Sequence, residues 1–141
     1  MIFVTGGTGF LGSYILQELV LQGRSVRALR RNMTVPFFMH PGLLGKISWV
    51  QGDILDVNGL IENMAGCDKI IHAAGMVSFN PSDKKQLFQL NIEGTANIVN
   101  AAIERGIKDL VHVSSVSALG RHDDVKSIDE EKKTHKRSLI F

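Results

Sequence analysis

The chain has 141 residues, 44% of them hydrophobic and 21% charged, an ordinary globular composition with enough length for one core. Its 16 basic and 14 acidic residues leave a formal net charge of +2, too weak a field to single out nucleic acid or an anionic membrane as a partner. The lone Cys67 excludes an internal disulfide, Met1 leads into a strand pattern without a basic region or cleavage site, and no apolar run approaches the roughly 20 residues that span a bilayer, so a cytoplasmic protein is expected.

In chain order, Ile2 to Thr5 is a short β-rich run ending in a glycine cluster. From Phe10 to Gln22, Leu11, Ile15 and Leu19, with Leu16 and Val20, recur at helical spacing, and Gly23 closes the helix. Strands are predicted for Ser25 to Leu29 and Ile47 to Val50, a short helix for Val57 to Met64, and a strand for Lys69 to Ala73. Between the second and third strands, residues 32–46 hold two prolines and two glycines and read as a loop or irregular helix, tucked onto the sheet by Phe37, Phe38 and Leu43. Pro81 and Ser82 open a long helix whose stripe is Leu87, Leu90, Gly94, Ile98, Ala101 and Ala102; Gly106 ends it, and Leu110 to Val113 form a fifth strand. Strands alternating with helices imply an α/β fold, a Rossmann-type doubly wound parallel sheet that is incomplete at about five strands. No internal repeat or low-complexity tract interrupts it. One domain is therefore expected over residues 1–120, followed by a charged, poorly ordered tail at 121–141 that contains Asp129-Glu130-Glu131-Lys132-Lys133.

Thr5-Gly6-Gly7-Thr8-Gly9-Phe10-Leu11-Gly12 joins the first strand to the first helix, where phosphate would meet backbone N–H groups, those of Phe10 and Leu11 included, and the positive end of the helix dipole. Gly6 permits the tight turn, Gly9 lets the backbone approach a diphosphate, and Gly12 lets the helix lie close to the sheet. The spacing is G-x-x-G-x-x-G rather than G-x-G-x-x-G, and no Gly-Lys-Ser/Thr follows, which excludes a P-loop. A glycine-rich turn can be a mere tight connection; the strand before it and the helix after it favour nucleotide binding. About 20 residues further on, where an acid would bind the ribose 2′-hydroxyl of NAD, stand Arg30 and Arg31. A cation there favours NADP over NAD, the alternative being a pair of solvated surface arginines.

The glycine turn resembles the T-G-G-T-G-F-[LIV]-G opening of extended short-chain dehydrogenases/reductases, the NAD(P)-dependent epimerase/dehydratase family, and the likeness is nearest to its dihydroflavonol-reductase-like members. It runs from Met1 to about Gly120 and includes, in order, Gly52-Asp53-Ile54-Leu55-Asp56, His72-Ala73-Ala74-Gly75, Asn91-Ile92-Glu93-Gly94-Thr95-Ala96-Asn97 and Val113-Ser114-Ser115. The resemblance implies a nicotinamide dinucleotide as ligand and places Asp53 at the adenine amino group with Ile54 beside it. A helix or turn cap toward Asp56 is the alternative role of Asp53. Ala73, Ala74 and Gly75 would leave room for ribose and phosphates. His72 is expected to pack or to hydrogen-bond locally. Asn91 occupies a position the family uses structurally and sometimes catalytically, against a simple buried hydrogen bond.

At the reaction centre the resemblance makes Ser115 the catalytic-type serine that hydrogen-bonds the substrate oxygen, and Ser114 its cofactor-side neighbour; a serine pair that only satisfies loop backbone is the alternative. The family pairs that serine with a tyrosine in Y-x-x-x-K, whose lysine lowers the tyrosine pKa. The one tyrosine here is Tyr14, in the first helix, and the expected place for the catalytic one lies at or beyond the last residues of the chain. The expectation is the NAD(P)-binding part of an oxidoreductase or epimerase that acts on a carbonyl or secondary alcohol by hydride transfer, with little or no turnover by this chain alone and a small-molecule substrate only for a complete one. A non-catalytic NAD(P)-binding or redox-sensing module is the alternative. A fragment whose fifth strand offers an open edge, inviting homodimers or aggregates, is the third reading. His40, His112, His122, His135 and Cys67 share no ligand spacing, so no metal is expected.

Overall fold

The computed structural model describes residues 1–36 and 38–119, so the predicted tail and the packing of Phe37 lie outside the described residues. Five parallel strands, β1 (Ile2–Thr5), β2 (Val26–Arg30), β3 (Ile47–Gln51), β4 (Lys69–His72) and β5 (Asp109–His112), assemble in the order β3-β2-β1-β4-β5. The order reverses between β1 and β4, which pair in register from Ile2 opposite Lys69 to Thr5 opposite His72. A crevice opens outside the carboxyl ends of the strands at such a reversal.

Side chains alternate along β1, so its two faces feed separate cores. Phe3 joins Leu60, Ile70, Ile98 and Ala101 on one face, beneath α3 (Val57–Asn63) and α5 (Gly94–Glu104). Val4 joins Leu16, Val20, Val26 and Ala28 on the other, beneath α1 (Phe10–Leu21). Phe3, Val4 and Leu16 are fully buried, each contributing about 1.5–3 kcal/mol by the usual area scaling. Helices therefore cover both faces of the sheet, as a doubly wound fold requires. Among the described residues β5 is the least covered strand: Leu110 packs against the first core, while Val111 on the opposite face is 59% exposed.

Two segments refine the expectation. Residues 32–46 contain a short helix, α2 (Pro41–Leu44), capped by His40, whose Nδ1 accepts the Gly42 N–H. Met39, not Phe38, fills the core beneath it, with Leu43 packed alongside; Phe38 stays half exposed and meets Phe10 edge-on and Tyr14 face-on over α1. Between β4 and β5 the expected single helix is composite: a 3-10 turn (Pro81–Asp83), α4 (Lys84–Phe88), a π turn (Gln89–Glu93) and then α5. The stripe Leu87, Leu90, Gly94 and Ile98 crosses the π turn at spacings of three and four residues, which a continuous α-helix would give as well, so periodicity does not single it out.

Candidate functional site

Gly6 turns the chain out of β1 with φ of +75°, and a Cβ there would sit 2.4 Å from the Ala73 carbonyl carbon. At Gly12 a Cβ would lie 2.1 Å from the Gly6 carbonyl oxygen, so the first turn of α1 rests on the glycine turn itself. At Gly7 a Cβ would meet the end of the Leu16 side chain, with Cδ1 at 2.4 Å, so Leu16 of α1 packs directly over the turn. The turn is closed by Gly9 N–H donating to the Gly6 carbonyl at 3.0 Å. No side chain caps α1 and no acid stands in its first turn, leaving its positive end available to an anion.

Over this turn lies a cavity of about 210 Å³. Of the residues expected at a dinucleotide, Gly6, Gly9, Arg30, Ile54, Ala73, Ala74 and Gly75 line it, as do Thr5, Thr8, Leu29, Arg31, Gly52 and Leu90. Gly12, Phe10 and Leu11 lie outside the lining, on the helix that starts beside it. Asp53 also falls outside the lining; its carboxylate accepts the Leu55 N–H at 3.0 Å in a local turn, while Asp56 caps α3 through Gly59 N–H. Arg30 holds its guanidinium 5.1 Å above the Trp49 ring, a cation–π contact between β2 and β3.

A second cavity of about 380 Å³ adjoins the first and shares Ala74 and Gly75 with it. Asn91, Ser114 and Ser115 line this one, together with Met76, Thr95 and His112. Asn91 sits in the π turn, where its side-chain amide donates to the Met76 carbonyl and accepts the Met76 N–H, both at 2.8 Å. Those expected residues that line a cavity are thus divided between two neighbouring chambers joined by the 73–76 segment, while Phe10, Leu11, Gly12 and Asp53 line neither.

His72, fully buried at the end of β4, lies beneath that segment. Its Nδ1 is 2.6 Å from Thr5 Oγ1 and its Nε2 is 3.1 Å from Thr95 Oγ1. Burial, reinforced by the nearby His112 ring, pushes the His72 pKa down to about 4 from 6.5, so the ring is neutral at physiological pH. Thr5 and Thr95 were not singled out from the sequence; a polar residue closing the apolar run Ile2-Phe3-Val4 was the available signal for the first. Among the described residues no three His, Cys, Asp or Glu side chains group as metal ligands, and no helix is long and apolar enough to cross a membrane.

Known proteins resemble this chain in sequence and in fold. The chain is 38% identical over 138 residues to a putative dihydroflavonol 4-reductase of Synechocystis sp., covering 98% of this chain and 39% of that protein. It therefore spans less than half the length of that curated relative. A short-chain dehydrogenase/reductase superfamily protein from Agrobacterium tumefaciens, solved with bound NAD, superposes with a TM-score of 0.71 at 28% identity, over 85% of this chain and 34% of that one. UDP-glucose-4-epimerase from Stenotrophomonas maltophila, with bound NAD and formylated UDP-arabinopyranose, gives 0.75 at 26% identity, over 95% and 42%. Residues 2–139 match a single family, and with that match the five-stranded sheet and glycine turn are accounted for: the chain belongs to the NAD dependent epimerase/dehydratase family.

Proposed function

We propose that residues 1–120 form an NAD(P)-binding domain serving an oxidoreductase or epimerase that acts on a carbonyl or secondary alcohol. The observation that carries this reading is the uncapped, acid-free start of α1 behind a turn in which Gly6 and Gly12 have no room for a Cβ. A diphosphate fits that donor set: backbone N–H groups and a helix dipole supply positive potential without a side chain in the way. The nicotinamide, when bound, accepts or supplies hydride. Ser115, in the second cavity, would donate a hydrogen bond to the substrate oxygen, with Ser114 on the cofactor side. Asn91 would hold the shared wall through Met76.

NADP is the favoured cofactor. Arg30 and Arg31 line the first cavity, no acidic residue among those described does, and the Trp49 ring steadies the Arg30 guanidinium. Trp49 is the sole tryptophan and packs against Arg30, so its fluorescence should respond to a nucleotide held at that arginine. Titration with NADPH and NADH should quench it, with NADPH the tighter by about tenfold, the value of one charge-assisted hydrogen bond to phosphate. Arg30→Ala should abolish that preference while leaving NADH affinity within about twofold. Absence of quenching by either nucleotide at millimolar concentration would remove the proposal. With Tyr14 as its one tyrosine, on α1, the 141-residue chain should bind without measurable ketone reduction.

A further inference from the structure

A hydrogen-bonded chain connects the two cavities through a buried histidine that hydride transfer does not require. Ala74 N–H donates to Thr5 Oγ1 at 3.3 Å, and the Thr5 hydroxyl lies 2.6 Å from His72 Nδ1. On the other side of the ring the Thr95 hydroxyl donates to the Asn91 carbonyl at 2.8 Å, which leaves its oxygen to accept from His72 Nε2 at 3.1 Å. The directions of these bonds put the ring proton on Nε2, so Nδ1 accepts from Thr5. Asn91 in turn grips both backbone groups of Met76. Ala74 to Met76, walls of both chambers, are thus fastened at one end through Thr5 and at the other through Asn91, and His72 bridges the two fastenings.

We propose that His72 is a positioning residue: as the neutral Nε2–H tautomer it locks Thr5, Thr95 and Asn91 so that residues 73–76 keep the shape that receives a dinucleotide. The proposal rests on the dinucleotide reading of the first cavity. A second proton, on Nδ1, would turn that acceptor into a donor and force the Thr5 hydroxyl to turn its hydrogen away. Among the described residues the titratable group facing His72 is His112 of β5, with ring centroids 5.2 Å apart, while β1 and α5 face it with the uncharged hydroxyls of Thr5 and Thr95. Acid should therefore loosen the 73–76 segment and weaken nucleotide binding, through His72 itself.

The test begins with the cofactor-free 141-residue chain. Ring ¹⁵N resonances should show His72 as Nε2–H at neutral pH, with slow amide exchange at Ala74 and Met76. His72→Phe keeps a ring but no hydrogen bond; exchange at both amides should accelerate and the NADPH dissociation constant rise, each by about tenfold. His72→Gln, which retains a donor for Thr95 and cannot titrate, should recover part of the affinity and lose its decline in acid. If His72→Phe does not fold, Thr95→Val should give the same faster exchange. An Nδ1–H tautomer in the native chain, or His72→Phe with native exchange and affinity, would overturn the proposal. Slow exchange and the Nε2–H tautomer in a chain that binds neither nucleotide would instead remove the cofactor reading and leave the lock intact.

Discussion

At Gly6 the backbone is left-handed and the space where a Cβ would stand holds the Ala73 carbonyl group. Gly6→Ala should therefore cost about 2 kcal/mol or more, read as a fall in the thermal midpoint, because strain and clash act together. His72 sets a different sensitivity. Its folded pKa of about 4 lies below the ordinary 6.5, so between these values the unfolded chain binds more protons than the folded one. The contribution is fully present above pH 6.5 and is lost as pH falls toward 4, on the order of 3 kcal/mol for this fully buried ring. Urea midpoints across that window should slope for the native chain and flatten for His72→Phe; equal slopes would refute the assignment. The glycine positions were legible in the sequence because each marks a backbone constraint within one turn. The Thr5–His72–Thr95 chain was not, since its members lie 67 and 23 residues apart and meet only through strand register and helix packing.

Elements fared unevenly for the same reason. Strand and helix order along the chain followed from local periodicity and from Gly23 and Gly106, both with positive φ at helix ends. Side-chain choices within irregular segments did not: Phe38 and Met39 are adjacent and apolar, and only the path of the chain decides which one enters the core. Two aspartates show the limit at the site. The resemblance implies an adenine contact for Asp53, and in the structure one of its carboxylate oxygens accepts the Leu55 N–H, while Asp56 is the cap of α3. Asp56→Ala should lower stability by about 1 kcal/mol, the usual worth of an N-cap, without altering Trp49 quenching by NADPH. The π turn carries its own expectation. Shortening it to α-helical pitch by deleting Ile92 would move Asn91 off Met76, and amide exchange at Met76 should rise while that at Val4, in the sheet centre, stays slow.

For the molecule as a whole, ligand and fold are linked by mass action. NADPH at a hundred times its dissociation constant should add about 2.7 kcal/mol to the unfolding free energy, visible as a raised melting temperature that depends on nucleotide concentration. The strand order places the crevice between β1 and β4, and β5 beside it ends the described sheet. His112 closes that strand, and Val113, Ser114 and Ser115 continue from it along the second chamber. Whatever packs against β5 therefore also lies beside Ser114 and Ser115, the residues proposed to meet a substrate oxygen. The same strand end thus carries both the exposed Val111 and the approach to the second chamber, so a substitution at Val111 should be felt at Ser114 and Ser115 before it is felt at the glycine turn.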